Sequence, residues 1–330
     1  MGNNTTPKCS CVNCNNLGKY AYPARRRGGN NAYLCSFHRT SLDSYYSENN
    51  LFVGKPKANG ITISHELEVM KPTEYARLEL CLQGYLPTHD STVDAEFKSA
   101  ISYGLNTISS YADTIEYLRN SGEIVLDGNV GLHTHFGHTL INSVTMAYIR
   151  RFYHSLFIPT MTAWKNNPEK YTTLFGRKAG GWACCVTDMN SVPVEHTNAV
   201  NVQHEPTIEF RSPRFQTAKQ YIAVVNYLKK VVLAVVETYI PALIEAGLIT
   251  IDENGKPVAI GDIGGKKISD SWDSFNAGIT TLNTEQRKLL KEAADKTSKK
   301  LVKMWESLDV SDIHWTGNIG DAYTAIQFEC

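Results

Sequence analysis

Four short segments of this chain place reactive polar side chains at alternate positions: Glu66-Leu67-Glu68, Asp94-Ala95-Glu96, His133-Thr134-His135 and Glu209-Phe210-Arg211. In an extended strand, residues i and i+2 point to the same side of a sheet. Each segment therefore reads as a β-strand with its polar pair on one face. Leu67 and Val69, Ala95 and Phe97, Leu132, Thr134 and Phe136, and Ile208 and Phe210 fill the other face. Laid side by side, such strands form a concave surface of carboxylates, imidazoles and a guanidinium, suited to a divalent metal and phosphate.

Around these strands the apolar spacing changes to that of helices, which gives an α+β chain. Ile108, Tyr111, Ile115 and Leu118 predict a helix ended by Asn120-Ser121-Gly122. Leu140, Val144, Ala147, Tyr148, Phe152 and Leu156 predict another that stops near Pro159. The strongest stripe is Tyr221, Val225, Leu228, Val232, Val235, Tyr239 and Leu243, kinked by Pro241 and closed by Gly247. Residues 166–181 read as a mobile basic loop carrying Arg177 and Lys178. Glu253-Asn254-Gly255-Lys256 marks a hairpin turn. Asn283 and Gln286 then form a capping box that opens a last helix with Leu290, Ala294, Leu301, Met304, Trp305 and Leu308 on one side.

The N-terminal part follows a different logic. Cys11-x2-Cys14, a spacer of 20 residues and Cys35-x2-His38 make a tetrahedral zinc pattern, expected as a small zinc ribbon over residues 1–41 with a structural zinc ion. Residues 42–59, rich in Ser, Tyr, Asn, Pro and Lys, read as a linker to a core over 60–248. Residues 249–330 are expected to pack on that core as a hairpin and a helix. The 33 basic and 33 acidic residues balance, so bulk charge gives no reason to expect a nucleic acid or a membrane surface as partner. No run approaches the roughly 20 apolar residues that span a bilayer. Met1-Gly2-Asn3-Asn4 lacks the features of a secretory signal, so cytoplasmic residence is the expectation. Cys184 and Cys185 read as small buried residues, with a thiol nucleophile as the alternative, and Arg150 and Arg151 as a solvated or phosphate-contacting helix face.

The polar pairs have a chemical use. A carboxylate is a poor electrophile, and joining it to an amine is made easier by phosphorylating it with ATP. That needs metal on the phosphates, cations that neutralise the moving phosphoryl group, and a base for the amine. Glu66, Glu68, Glu96 and Glu209 offer oxygen ligands for magnesium, Arg177 and Arg211 offer cations, and His133 or His135 serves phosphate, metal or proton transfer.

The motifs also carry a resemblance. Ile63-Ser64-His65-Glu66-Leu67-Glu68-Val69, His89-Asp90-Ser91 with Glu96-Phe97-Lys98-Ser99, Gly131-Leu132-His133-Thr134-His135, Arg177, and Thr207-Ile208-Glu209-Phe210-Arg211 stand in an order that resembles the amidoligase family. These are carboxylate-amine ligases related to glutamine synthetase and glutamate-cysteine ligase, and the resemblance runs from Ile61 to Ile244. It implies a glutamine-synthetase-like fold: a curved antiparallel sheet around an ATP groove, with helices on its outer face. It further implies Mg2+ on Glu66, Glu68, Glu96 and Glu209, His133 at metal or phosphate, and Arg177 and Arg211 on phosphates or an acyl phosphate. The expected activity is ATP- and Mg2+-dependent amide or peptide bond formation between a carboxylate and an amine, with a peptide or protein among the candidate substrates. A non-catalytic nucleotide- or partner-binding protein and a metal-dependent amide hydrolase are the alternatives. Two departures stand out: His65 replaces an apolar residue or glycine, and Asp94-Ala95 replaces the glycine before Glu96.

Overall fold

The computed structural model describes residues 8, 15–17, 20–22, 32–34, 52–53, 60–83, 85–88, 92–99, 101–103, 105–126, 130–180, 185, 198–203, 206–260 and 282–316. The zinc ligand candidates Cys11, Cys14, Cys35 and His38, the His89-Asp90-Ser91 turn and Cys184 lie outside the described residues. Strands β1 (Tyr20–Tyr22) and β2 (Ala32–Leu34) pair antiparallel within the spacer between the two cysteine-containing pairs.

The main sheet has eight strands. They are β3 (Phe52–Val53), β4 (Ile61–Val69), β5 (Leu86–Thr88), β6 (Ala95–Lys98), β7 (Ile101–Ser102), β8 (Leu132–His138), β9 (Val200–Asn201) and β10 (Thr207–Phe210). The path runs β3-β7-β4-β8-β10-β9, with β6 also on β4 and β5 beyond it. All pairings are antiparallel except the edge pair of β3 with β7. The four strands that carry polar pairs are thus consecutive, β6-β4-β8-β10.

Period two decides which side of this sheet is the core. Ile61, Ile63, His65, Leu67 and Val69 of β4 are buried on one face, joined by Leu132, Thr134 and Phe136 of β8 and Ile208 and Phe210 of β10. Two helices cover that face. They are α2 (Leu105–Asn120), presenting Ile108, Tyr111, Ala112, Ile115 and Leu118, and α6 (Ala218–Thr238), presenting Tyr221, Val224, Val225, Leu228, Val231, Val232 and Val235. Before α2 comes α1 (Glu74–Leu82), which the apolar spacing did not announce; Thr73 Oγ1 accepts from Ala76 N–H at its start. Each large aliphatic side chain buried here contributes about 1.5–3 kcal/mol, so register across the sheet is strongly specified.

The expected helix from Thr139 to Pro159 is two helices, α3 (Ser143–Arg151) and α4 (Tyr153–Lys165), broken at Phe152. Asn142 closes a capping box with Thr145 at the start of α3. Pro159 lies inside α4 and does not end it. It sits on the exposed side of the helix, where the lost backbone donor is tolerated.

A second correction concerns residues 166–181. They contain α5 (Pro168–Phe175) where a loop was expected. Asn167 caps it by accepting from Lys170 N–H at 3.2 Å, Pro168 takes its first position, and Tyr171, Leu174 and Phe175 bury its inner side. Gly176, with φ of 74°, closes it in the left-handed conformation.

The long C-terminal stripe divides at Tyr239 into α6 and α7 (Ile240–Glu245), with Pro241 in the first turn of the second and Gly247 beyond its end. Strands β11 (Ile249–Ile251) and β12 (Pro257–Ala259) form the expected hairpin. Helix α8 (Thr284–Glu306) opens on the Asn283–Gln286 capping box and packs against α4. Trp305 Nε1 donates to Ala163 O at 3.0 Å, and its ring joins an aromatic cluster with Trp164, Phe175 and Tyr227. Among the described residues, no helix is long and apolar enough to cross a membrane.

Candidate active site

Register brings the polar pairs together on the face opposite α2 and α6. Across β4, Glu66 stands opposite His133 on one side and Lys98 on the other, while Glu68 stands opposite Glu96. His135 stands opposite Glu209. A single surface therefore carries Glu66, Glu68, Glu96, His133, His135 and Glu209. Arg211 joins them one residue past β10, and Arg177 arrives from the end of α5.

His133 sits at the centre. Its Nδ1 lies 3.7 Å from Glu66 Oε2 and 3.5 Å from Glu209 Oε1, and its Nε2 lies 3.6 Å from Glu68 Oε1. His135 Nε2 is 3.4 Å from Glu66 Oε1, and its Nδ1 is 3.2 Å from Thr207 Oγ1. Glu209 is wholly buried, and accepts from Asn201 Nδ2 at 2.7 Å and from Arg211 Nη1 at 3.0 Å. Glu68 Oε2 accepts the Gly131 N–H at 2.6 Å.

These contacts bias the charge states of the buried groups. Burial alone would raise the Glu66 carboxyl, but the imidazoles of His133 and His135 and the Lys98 ammonium hold it well below the usual carboxylate range. Burial likewise pushes against an ionised Glu209, and His135, His133 and Arg211 outweigh it, so this carboxyl too is lowered. Against the cost of its own burial, His135 is raised by Glu66 and then by Glu209. Arg177 is lowered by burial, with Tyr171 and Glu68 opposing and Arg211 reinforcing that shift. Its Nε has no hydrogen-bond partner among the described residues although only 5 % of the residue is exposed. Two neighbouring buried guanidinium groups, one with a donor that has no partner among the described residues, have the chemistry to hold an anion.

Glu66, His135 and Glu209 each offer a ligand atom within 4.8 Å of the others. In an octahedral shell with bonds of about 2.1 Å, adjacent ligands lie roughly 3 Å apart, so small side-chain movements close this set on an ion. The donor chemistry fits: two carboxylate oxygens suit Mg2+ or Mn2+, and the imidazole favours the softer of the two. His133 Nδ1, buried and with no hydrogen-bond partner among the described residues, faces Glu66 and Glu209, as expected beside such an ion. The grouped set differs from the all-carboxylate one implied by the resemblance. His135 enters it, whereas Glu68 is held by Gly131 and Glu96 pairs across the sheet with Glu68.

Several expectations change here. Asp94 is not part of the site: it is exposed, precedes β6, and accepts the Lys71 N–H at 2.8 Å, because β6 begins only at Ala95. Arg177 is not on a mobile loop but is buried behind the glycine that closes α5. Arg150 serves structure, with Nε donating to Val202 O at 2.6 Å and Nη2 to Gln203 O at 3.0 Å. Cys185, by contrast, is the small buried residue expected, and burial pushes its thiol up to about 12, which disfavours the thiolate. Lys98, quoted within a motif but given no role, and Asn201, outside every motif, are the additional residues at the site. The signal for Lys98 was available, since Glu96-Phe97-Lys98 repeats the same alternation one step later.

Beneath the sheet, His65 has a defined role. Its Nδ1 is hydrogen-bonded to Tyr221 Oη, which also bonds Thr134 Oγ1 at 2.8 Å, and its ring meets Tyr111 edge-on with centroids 5.9 Å apart. Burial, followed by the charge of His135, lowers it to about 3. Neutral His65 thus ties β4 to β8 and α6 from below.

No family model matches the chain, and no curated protein matches it. The functional reading therefore rests on the site and on the motif resemblance.

Gly131 is required by this packing. A Cβ added there would lie 2.7 Å from His133 Nε2, 2.9 Å from His133 Cδ2 and 3.3 Å from Glu68 Oε2. Gly131→Ala is expected to cost about 1–3 kcal/mol in urea unfolding. It is also expected to displace the central imidazole, seen as a shifted His133 side-chain NMR signal. An unshifted signal in this variant would show that His133 is not positioned as described.

Proposed function

We propose that the protein is an ATP- and divalent-metal-dependent carboxylate-amine ligase on a glutamine-synthetase-like sheet. The observation that carries this reading is the convergence on one sheet face of the Glu66–His135–Glu209 cluster with the buried pair Arg177 and Arg211. An ion held by Glu66, His135 and Glu209 would supply charge neutralisation for nucleotide phosphates.

The chain's own residues then divide the work. Arg177 and Arg211 bind and orient the transferred phosphoryl group, and Arg177 Nε offers a donor for one of its oxygens. Phosphorylation of the substrate carboxylate creates an acyl phosphate, and attack by the amine releases phosphate. Ionised Glu66 and Glu209 disfavour a second anion except where the arginines lie, which directs the phosphoryl group to one end of the groove. In this reading an imidazole of the His133 and His135 pair, in its neutral form, takes the proton from the amine.

The test is to incubate purified full-length protein with ATP, Mg2+ or Mn2+, and pools of amino acids and peptides. Release of ADP that depends on both a carboxylate and an amine, with a product lighter by one water than their sum, is the expected outcome. The absence of nucleotide binding and of ADP release with every pool would sink the ligase reading. The mixed oxygen and nitrogen donor set also fits a metal-dependent amide hydrolase, which would cleave such products without ATP.

A further inference from the structure

We infer that Ser212 and Tyr171 complete, with Arg177, a buried oxyanion pocket at the end of α5, and that a phosphoryl group is what this pocket takes. The inference rests on the phosphate-binding role proposed above for Arg177 and adds the two hydroxyls to it. Helix α5 and the segment after β10 meet here: Arg214 N–H donates to Phe175 O at 2.8 Å, which puts Ser212 and Arg177 each two residues from one hydrogen bond. Tyr171 lies one turn before Phe175 on the inner side of α5, with the two ring centroids 4.6 Å apart. Its hydroxyl has the Ser212 hydroxyl, the Cys185 thiol and the Arg177 guanidinium as polar neighbours.

Three side-chain atoms at this place, Arg177 Nε, Tyr171 Oη and Ser212 Oγ, are buried and have no hydrogen-bond partner among the described residues. Buried polar groups are ordinarily paired, and orphans gathered at one point imply a bound species between them. A water molecule would satisfy the two hydroxyls. The guanidinium favours an anion instead: it cannot shed its charge, it is almost wholly buried, and among the described residues it forms no ion pair. Arg211, beside it, is already engaged by Glu209 at 3.0 Å, whereas Glu68, the carboxylate that acts on Arg177, holds the Gly131 N–H at 2.6 Å. A guanidinium and two hydroxyls can all donate, which suits the several oxygens of a phosphoryl group.

Titration of the full-length protein with inorganic phosphate, without added divalent metal and followed by calorimetry and by the rise in melting temperature, tests this. Wild type is expected to bind phosphate and Arg177→Met to lose that binding. Ser212→Ala and Tyr171→Phe should each weaken it about tenfold or more, the loss of one hydrogen bond to a charged group. Each of these two variants deletes a single oxygen that lacks a partner among the described residues, so without phosphate both should melt close to wild type. A merely structural hydroxyl would lower that melting temperature instead. Wild-type phosphate affinity in both Ser212→Ala and Tyr171→Phe, or no phosphate binding by wild type, would overturn the inference. The expected pattern in a protein that releases no ADP with any carboxylate and amine would keep the pocket and remove the ligase reading. Carboxylate- and amine-dependent ADP release, with phosphate binding indifferent to both hydroxyls, would do the reverse.

Discussion

Replacing Glu209 by alanine is expected to cost the fold about 3–5 kcal/mol, the penalty for breaking a buried ion pair by deleting one partner. Glu209 is fully buried, and its carboxylate holds Arg211 at 3.0 Å, Asn201 at 2.7 Å and the His133 ring at 3.5 Å. Alanine removes the carboxylate from all three and leaves a cavity beside them. Glu209→Gln preserves the shape and one acceptor, so its stability cost should fall to about 1–3 kcal/mol. Both variants lose a proposed metal ligand and should lose turnover by at least about 1,000-fold, equivalent to roughly 4 kcal/mol of transition-state stabilisation.

The pH dependence of the effect has a definite sign. The Glu209 carboxyl is lowered from 4.5 in the folded protein. Its contribution is complete at pH values above that unfolded value and disappears as pH falls through the folded one. The stability gap between wild type and Glu209→Gln should therefore be full at neutral pH and narrow in acid. Urea midpoints measured from pH 7 down to pH 3 check this. A constant gap over that range would mean that the carboxylate is not held in its charged form by its neighbours.

Gly176→Ala is the second large effect, expected at about 2–5 kcal/mol. The backbone there has φ of 74°, a conformation that costs an alanine about 1–2 kcal/mol. An added Cβ would also run into the Arg214 carbonyl oxygen and come within 2.8 Å of Gln216 Cγ. That neighbour cannot give way easily, because Arg214 N–H donates to Phe175 O at 2.8 Å and Gln216 Nε2 donates to Gly176 O at 2.8 Å. Overpacking of this kind adds about 1–3 kcal/mol. Since Arg177 is the next residue, relief of the clash should also move the guanidinium and weaken the proposed nucleotide binding. A loss below about 1 kcal/mol would show that the end of α5 does not pack this closely on the segment leading into α6.

How far the sequence could be read depended on the range of the interactions involved. The faces of β4, β8 and β10 were legible because side-chain direction in a strand depends only on neighbouring residues. The capping box of α8 and the hairpin of β11 and β12 were legible for the same reason. Helix α5 carried its own signals, Asn167, Pro168 and Gly176, but they were masked by the glycine and basic residues that follow. The extent of β6 could not be read, since Asp94 and Lys98 both fit the alternation and only the partner strand decides between them. Least accessible were His65 with Tyr221, which lie 156 residues apart, and Glu209 with its charge partners on β8. Such pairings depend on how the whole sheet closes, and no local pattern encodes them.

The two faces of β4 also limit how the gene can change. Side chains on this strand alternate, the odd-numbered ones buried on the core face and the even-numbered ones, Glu66 and Glu68 among them, on the opposite face. Deleting a single codon would rotate the remainder of the strand by half a turn, sending Glu66 or Glu68 into the aromatic interior and Leu67 into the groove. Loss of two codons would preserve the alternation and shift only the register. Length variation among descendants of this chain should therefore accumulate in the connecting segments, and within β4 it should come in even steps.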